Sequence, residues 1–298
     1  MTTLSLDLLQ TLTLAAVVYY VGIALRRHVA WLDRLNIPAA VVGGLLFTIL
    51  TMVAHARGLT IKLDTAAQPV LIVVFFTTIG MGASLALLRK GGAQVLVLLL
   101  YATAFCFVQN FLGMAIAAGF GEHPLLGVMA GSVTLVGGPA TGLAFAPLFE
   151  QAGLVGAGPL ALAAATMGIV SGGLVGGPIA TFLTRRHGLT SGGASTAELQ
   201  AELAPPPEQF VVDVEREDNV VLRHLVVLAV AMGLGSVLSN WFRSLGLTLP
   251  SYIGAMLVAS LLRNVDDVTG RLHIDLRATE FVGTVALNIF LVVALMDL

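Results

Sequence analysis

Apolar residues run along this chain in long blocks, and polar residues are confined to the gaps between them. A helix crossing a hydrocarbon core of roughly 30 Å needs about 20 apolar residues at about 1.5 Å of rise each. Blocks at 6–25, 37–55, 68–88, 94–118, 159–184, 220–241, 249–262 and 280–297 approach or meet that length, so each predicts a membrane-spanning helix. The stretch from Pro124 to Phe149 is equally apolar but carries Gly131, Gly137, Gly138, Pro139 and Gly142 at its centre. Breakers so placed predict two helical limbs joined by an interruption rather than one rod. From Arg185 the pattern lapses, and residues 191–218 read SGGASTAELQAELAPPPEQFVVDVERED. Such a segment buries too little apolar area to order itself. It predicts a cytoplasmic linker over 185–219, between membrane units at 1–184 and 220–298.

Composition strengthens this reading. The 298 residues are 57% hydrophobic and 11% charged, with a mean hydropathy of +0.94, whereas a soluble domain is about 25% charged. An ordinary globular enzyme is excluded. The net charge of −2 offers no basic surface for nucleic acid. The single cysteine, Cys106, lies in an apolar run, so there is neither a disulfide framework nor a metal-binding pair. Arg26 and Arg27 follow the first apolar block instead of preceding it, which marks a retained span and not a cleaved signal.

Short-loop Lys and Arg favour the cytoplasmic side. With the N-terminus outside and residues 124–149 dipping in and returning to one face, twelve of the fifteen basic residues lie inside and only Arg57, Lys62 and Arg243 outside. If the stretch crossed once instead, six would lie inside and nine outside. A re-entrant hairpin about 124–149 is therefore expected.

The order of elements repeats after the linker. Asn36-Ile37-Pro38 opens the second span with Gly43-Gly44 behind it, and Thr248-Leu249-Pro250 opens the seventh with Gly254 behind it. Each is preceded by one span and followed by a lone acid, Asp64 or Asp275, and then a third span. The two halves start on opposite sides, as in an inverted-topology transporter. The first half continues with a fourth span, the hairpin and a fifth span; the second stops after its third. By symmetry roughly 100 residues are absent, so the sequence predicts a truncated chain and a homologue of roughly 400 residues.

No Asp, Glu, Lys or Arg falls in the middle of a proposed span, and none of the residue sets a membrane protease needs is present at depth. What remains is the hairpin interruption. Backbone groups freed at mid-membrane are unsatisfied by lipid but can be satisfied by a solute. A half-helix N-terminus carries about half a positive charge and suits a carboxylate. The hydroxyls of Ser132, Thr134 and Thr141, with freed carbonyls, are hard oxygen donors for sodium; Gly137, Gly138 and Gly142 let the backbone approach. The competing reading is a glycine-rich stretch that merely permits close packing. Gln109-Asn110 within the fourth span either supports the hairpin or touches substrate. Thr77-Thr78, beside Gly80 and Gly82, either lines the path or bonds back to its own helix. Gly172-Gly173 and Gly176-Gly177 predict a close helix contact.

The runs PAAVVGGLL from Pro38, Phe75 to Gly80, Arg89 to Gly92, Gln109-Asn110, Gly131 to Gly142 and Gly172 to Pro178 resemble the bacterial sodium/glutamate symporter family. The resemblance implies an all-α polytopic membrane protein of two inverted five-helix repeats, each with a re-entrant hairpin, the second incomplete in this chain. It implies sodium-coupled uptake of glutamate or a similar acidic amino acid by alternating access, in the bacterial cytoplasmic (inner) membrane. It further implies a homodimer whose core moves against a scaffold, sodium as the co-transported ion, and no enzymatic activity. Ser132, Thr134, Gly137, Gly138, Thr141 and Gly142 match the family's hairpin motif. Pro139-Ala140 departs from it, since the family commonly has His-Gly there, and this admits another small carboxylate as cargo. The absent second hairpin admits a further alternative, a remnant or scaffold that does not transport.

Overall fold

The computed structural model describes residues 2–29, 32, 37–188, 214–247, 249–272 and 274–297. Most of the expected linker, residues 189–213, lies outside the described residues, as do Arg34, Asn36 and Thr248. The chain forms helices α1 (Leu8–His28), α2 (Ala39–Ala56), α3 (Gln68–Gly82), α4 (Leu85–Gly119), α5 (Pro124–Val128), α6 (Gly138–Gln151), α7 (Ala157–Arg186), α8 (Val214–Ser244), α9 (Tyr252–Thr269) and α10 (Leu276–Met296). Leu8–His28, Ala39–Ala56, Gly92–Gly119, Leu222–Ser244 and Leu276–Met296 are each long and apolar enough to cross a bilayer. The protein is an all-α, multi-pass membrane protein.

Three boundaries differ from the sequence expectation. The block at 68–88 is interrupted at Ala83 and Ser84, which separate α3 from α4. The block at 249–262 continues helically to Thr269, through Arg263, Asp266 and Asp267. α8 begins at Val214, ahead of the expected residue 220, because Glu and Arg are good helix formers whatever their hydropathy. A two-stranded parallel ribbon, β1 (Thr2–Ser5) with β2 (Leu59–Lys62), was not expected, since pairing across so many residues leaves no local periodicity.

Six helices form the packed body. α1 crosses α2 where a Cβ on Gly22 would strike the Ala39 carbonyl and one on Gly43 the Val18 carbonyl. α8 crosses α9 in the same manner: a Cβ on Gly235 would meet Ala255, and one on Gly254 the Gly235 carbonyl. Small residues let these backbones touch where lipid supplies no hydrophobic drive. α3 and α10 pack together at the centre, with Thr78 seated on Gly283. The lone acids also serve alike, for Asp64 Oδ1 accepts from the Ala66 N–H at 2.9 Å before α3, and Asp275 Oδ1 from the Arg277 N–H at 2.8 Å to cap α10.

At one end a polar cluster ties α3 to α9. The Ser84 hydroxyl donates to Asp267, Asn264 Nδ2 donates to the Ala83 carbonyl at 2.9 Å, and Arg263 pairs with Asp267 at 3.1 Å. The buried Asp266 carboxylate accepts from the N–H groups of Leu272 and Ile274 at 2.7 and 2.8 Å. These bonds explain how α9 retains charge beyond its apolar part.

The second body comprises α4 beyond its kink at Gly92 (φ +57°), α5, α6 and α7. None of the most apolar window of Gly92–Gly119 is buried, against 56% for that of Leu276–Met296, so among the described residues α4 lies at the periphery and α10 at the centre. Gly172 and Gly176 were expected to make a close helix contact. A Cβ on either meets nothing within 4 Å, so neither makes that contact with a described residue; the surroundings of Gly173 and Gly177, the other halves of the two expected pairs, lie outside what the structure describes.

Candidate functional site

Pro124 at the start of α5 is pre-set for a first helical position. One turn later the helix widens into a π-helical turn over Met129–Val133 and breaks at Gly131 (φ −94°, ψ −127°). Such turns often mark functional sites because they free backbone groups. The chain reverses at Val136-Gly137, and Gly138, at φ +76°, launches α6. The two limbs share one apolar cluster in which Leu125, Leu126 and Met129 meet Ala146 and Phe149. Their far ends also converge, since a Cβ on Gly153 would lie 3.5 Å from His123 Nε2.

Two neighbours fix the height of the reversal. A Cβ on Gly168 would strike Leu135, and Gly168 lies about 16 Å along α7 from Ala157, close to half of a hydrocarbon core. On the other flank α4 is held against α5 by backbone contact of Gly113 with Gly127, where a Cβ on Gly127 would coincide with the Gly113 carbonyl. None of these three glycines stood out in the sequence, because each is one small residue in an apolar block.

Most of the expected residues meet here. Asn110 Oδ1 accepts the Ser132 N–H at 3.1 Å, so Asn110 supports the first limb directly. Gln109 is the adjacent residue on α4, and its backbone lies 3.6 Å from a Cβ built on Gly131. Its side-chain Oε1 is buried without a hydrogen-bond partner. Thr134 is 2% exposed, and its hydroxyl donates to the Met129 carbonyl at 2.7 Å across the wide turn. Its methyl group lies 2.9 Å from where a Gly142 Cβ would sit, and Ala161 of α7 is equally near. The Thr141 hydroxyl donates to the Gly137 carbonyl at 2.8 Å. Both threonine oxygens retain lone pairs, so these bonds leave them able to accept.

The start of α6 is the electropositive feature. It has no side-chain cap, and Pro139 supplies no N–H. The Gly137 N–H is taken by the Ser132 carbonyl at 3.2 Å. The N–H groups of Gly138 and Ala140 remain as first-turn donors. A Cβ at Gly137 would collide with Thr141 and the Val133 carbonyl, whereas Gly138 faces open space.

Thr78 stands apart from this assembly. Its hydroxyl donates to the Phe75 carbonyl at 2.7 Å, and the Thr77 hydroxyl to the Val73 carbonyl at 2.6 Å. Both threonines bond back to their own helix, and Thr78 packs on Gly283 of α10 away from the break. The arrangement as a whole sets an uncapped helix N-terminus beside carbonyl, hydroxyl and amide oxygens.

Comparison with known proteins places the chain in a family. The family profile described as sodium/glutamate symporter matches residues 4–298. The sodium/glutamate symporter of Escherichia coli K12 is 33% identical over 295 residues, covering 98% of this chain and 73% of that protein. That of Haemophilus influenzae is 33% identical over 293 residues, covering 97% of this chain and 72% of that protein. No solved structure matches the chain.

Proposed function

The chain belongs to the sodium/glutamate symporter family, and on that premise we propose that it carries glutamate across the membrane by sodium-coupled symport, with the break between Gly131 and Gly142 as its solute site. It is a transporter and not an enzyme. The observation that carries the site assignment is the double interruption at Gly131 and Gly138, held about 16 Å along α7 from Ala157. Lipid at that depth satisfies no freed backbone group, whereas a carboxylate and a sodium ion together satisfy both signs.

In this reading a substrate carboxylate accepts from the N–H groups of Gly138 and Ala140 at the positive end of α6. Sodium, as co-transported cargo, takes oxygens from Thr134, Thr141 and the carbonyls freed along Ser132 to Gly137. The unpartnered Gln109 Oε1 accepts from the substrate ammonium. Gln109 and Asn110 together set the position of the first limb. Occupancy by sodium raises glutamate affinity, and by linkage glutamate raises sodium affinity to the same degree. Thr78 enters this scheme only by packing α3 against α10.

The hairpin is re-entrant in this account. The convergence of His123 and Gly153, and the charge balance of the loops, support a segment that returns to the face it left. The chain resides in the bacterial cytoplasmic membrane, a placement supported by its helical spans, since outer-membrane proteins of this kind are barrels. It works as a homodimer, in keeping with the family it resembles.

The test is uptake of labelled glutamate into liposomes holding the purified chain. An inward sodium gradient drives accumulation, and replacing sodium by choline abolishes it. Equal uptake in choline overturns the symport reading. Pro139-Ala140 bears on cargo choice, and competition by aspartate and by other small carboxylates in the same assay ranks them.

A further inference from the structure

A cavity of about 560 Å³ lies between the two bodies, well within the range of small-molecule sites. One wall is α6 from Leu143 to Glu150, with Gly158 of α7 beside it. The other is built from four helix ends: Gln68 and Pro69 of α3, Arg243 of α8, Pro250 to Tyr252 at the start of α9, and Asp297 after α10. The loop charges place all four of these ends on the outer face. The cavity therefore opens outward and follows α6 inward for about 10 Å, to the residue after Gly142.

Its chemistry is uneven. The deep lining is apolar, with Ile72, Leu143, Ala144 and Phe290, while charge is gathered at the mouth in Arg243, Glu150 and Asp297. Arg243 is one of three basic residues on the outer side and lines the cavity without an ion-pair partner among the described residues. It occupies the last turn of α8, whose negative end holds a cation in place.

We propose that this cavity is an outward-facing vestibule that captures an acidic amino acid before it reaches the hairpin break, with Arg243 binding a substrate carboxylate and Glu150 and Asp297 receiving its ammonium group. The inference rests on the transport reading above and names a second, outer substrate site. A bidentate guanidinium selects a carboxylate over an uncharged amide. The vestibule therefore prefers glutamate to glutamine, ahead of the backbone donors at Gly138 and Ala140.

Equilibrium binding of labelled glutamate to the full chain in lipid nanodiscs with sodium, alongside uptake in liposomes, tests the proposal. Arg243→Gln should raise both Kd and KM about tenfold at unchanged maximal rate, as expected for loss of one charge-assisted contact. Arg243→Lys should recover part of the loss. Arg57→Gln, which removes an outer charge away from the cavity, should change neither constant. The inhibition constant of glutamine, which has an amide where Arg243 takes the side-chain carboxylate, should be the same in the parent and in Arg243→Gln, and a tenfold rise for glutamine too overturns the assignment. Normal uptake with Kd and KM unmoved by Arg243→Gln overturns the vestibule and leaves the transport reading intact. Arg243-dependent binding without sodium-driven uptake sinks the transport reading and retains the site. An equal loss in Arg57→Gln reduces the effect to general surface charge and overturns the proposal, as does absence of any glutamate binding.

Discussion

Gly138 offers the cleanest perturbation of the hairpin. Its φ is +76°, and a Cβ there would meet nothing within 4 Å, so replacing it changes backbone preference without a clash. An L-residue forced into this region costs about 1–2 kcal/mol. If the turn escapes the strain by leaving its shape, the fraction able to bind falls about 5- to 30-fold and the apparent Kd rises by the same factor. Asn tolerates positive φ better than Ala, so Gly138→Asn should lie between Gly138→Ala and the parent. Gly233 supplies the control, because it too has open space around it but sits at ordinary helical φ within α8. Gly233→Ala should be neutral or stabilising by up to about 1 kcal/mol. Glutamate binding in nanodiscs and sodium-driven uptake read all three variants. Equal behaviour of Gly138→Ala and Gly233→Ala would refute the role assigned to this turn.

Other consequences can be checked with the same preparations. Asn110→Leu leaves the Ser132 N–H without its acceptor, at a cost of about 1–3 kcal/mol in melting experiments, while Asn110→Asp keeps an acceptor and should recover part of it. Gly127→Ala drives a methyl group into the Gly113 backbone, and should destabilise the α4 and α5 pair by about 1–3 kcal/mol, with sodium-driven uptake falling alongside. Ser84→Ala removes the hydroxyl that reaches Asp267 and should lower the thermal midpoint without altering the sodium concentration for half-maximal uptake, since this cluster lies away from the break. Gln109→Leu supplies no acceptor and should weaken binding of glutamate more than that of a deaminated dicarboxylate.

Much of the fold was legible because lipid imposes one dominant constraint. Apolar blocks of helical length mark α1, α2, α4, α7, α8 and α10 with little competition from other signals. The charged end of α9 was not legible, because Arg263, Asp266 and Asp267 are tolerated through tertiary bonds to Ser84, Leu272 and Ile274 that no local pattern announces. The parallel pairing of β1 with β2 was hidden for the same reason. In the site, the glycines and proline marked a helix interruption within Gly131 to Gly142, since breakers act on the backbone directly, and the helix departs from regular geometry at Gly131 and Gly138. What they could not convey was that the Thr134 hydroxyl would turn back to Met129, that Asn110 would hold Ser132, or that Thr78 would settle on Gly283. Those outcomes depend on which helices become neighbours. The cavity beside α6 was equally invisible, because Arg243, Glu150 and Asp297 come from three distant segments.

The central claim is that the reversal between Gly131 and Gly142 holds the solute, and solute protection tests it most directly. A Val136→Cys variant made in a Cys106→Ala background carries its only thiol at the reversal, on an exposed side chain that holds neither solute in this account. The account predicts that sodium and glutamate together slow maleimide labelling of that thiol, that sodium alone slows it less, and that glutamate in choline has no effect. Labelling at one rate under all three conditions would contradict it.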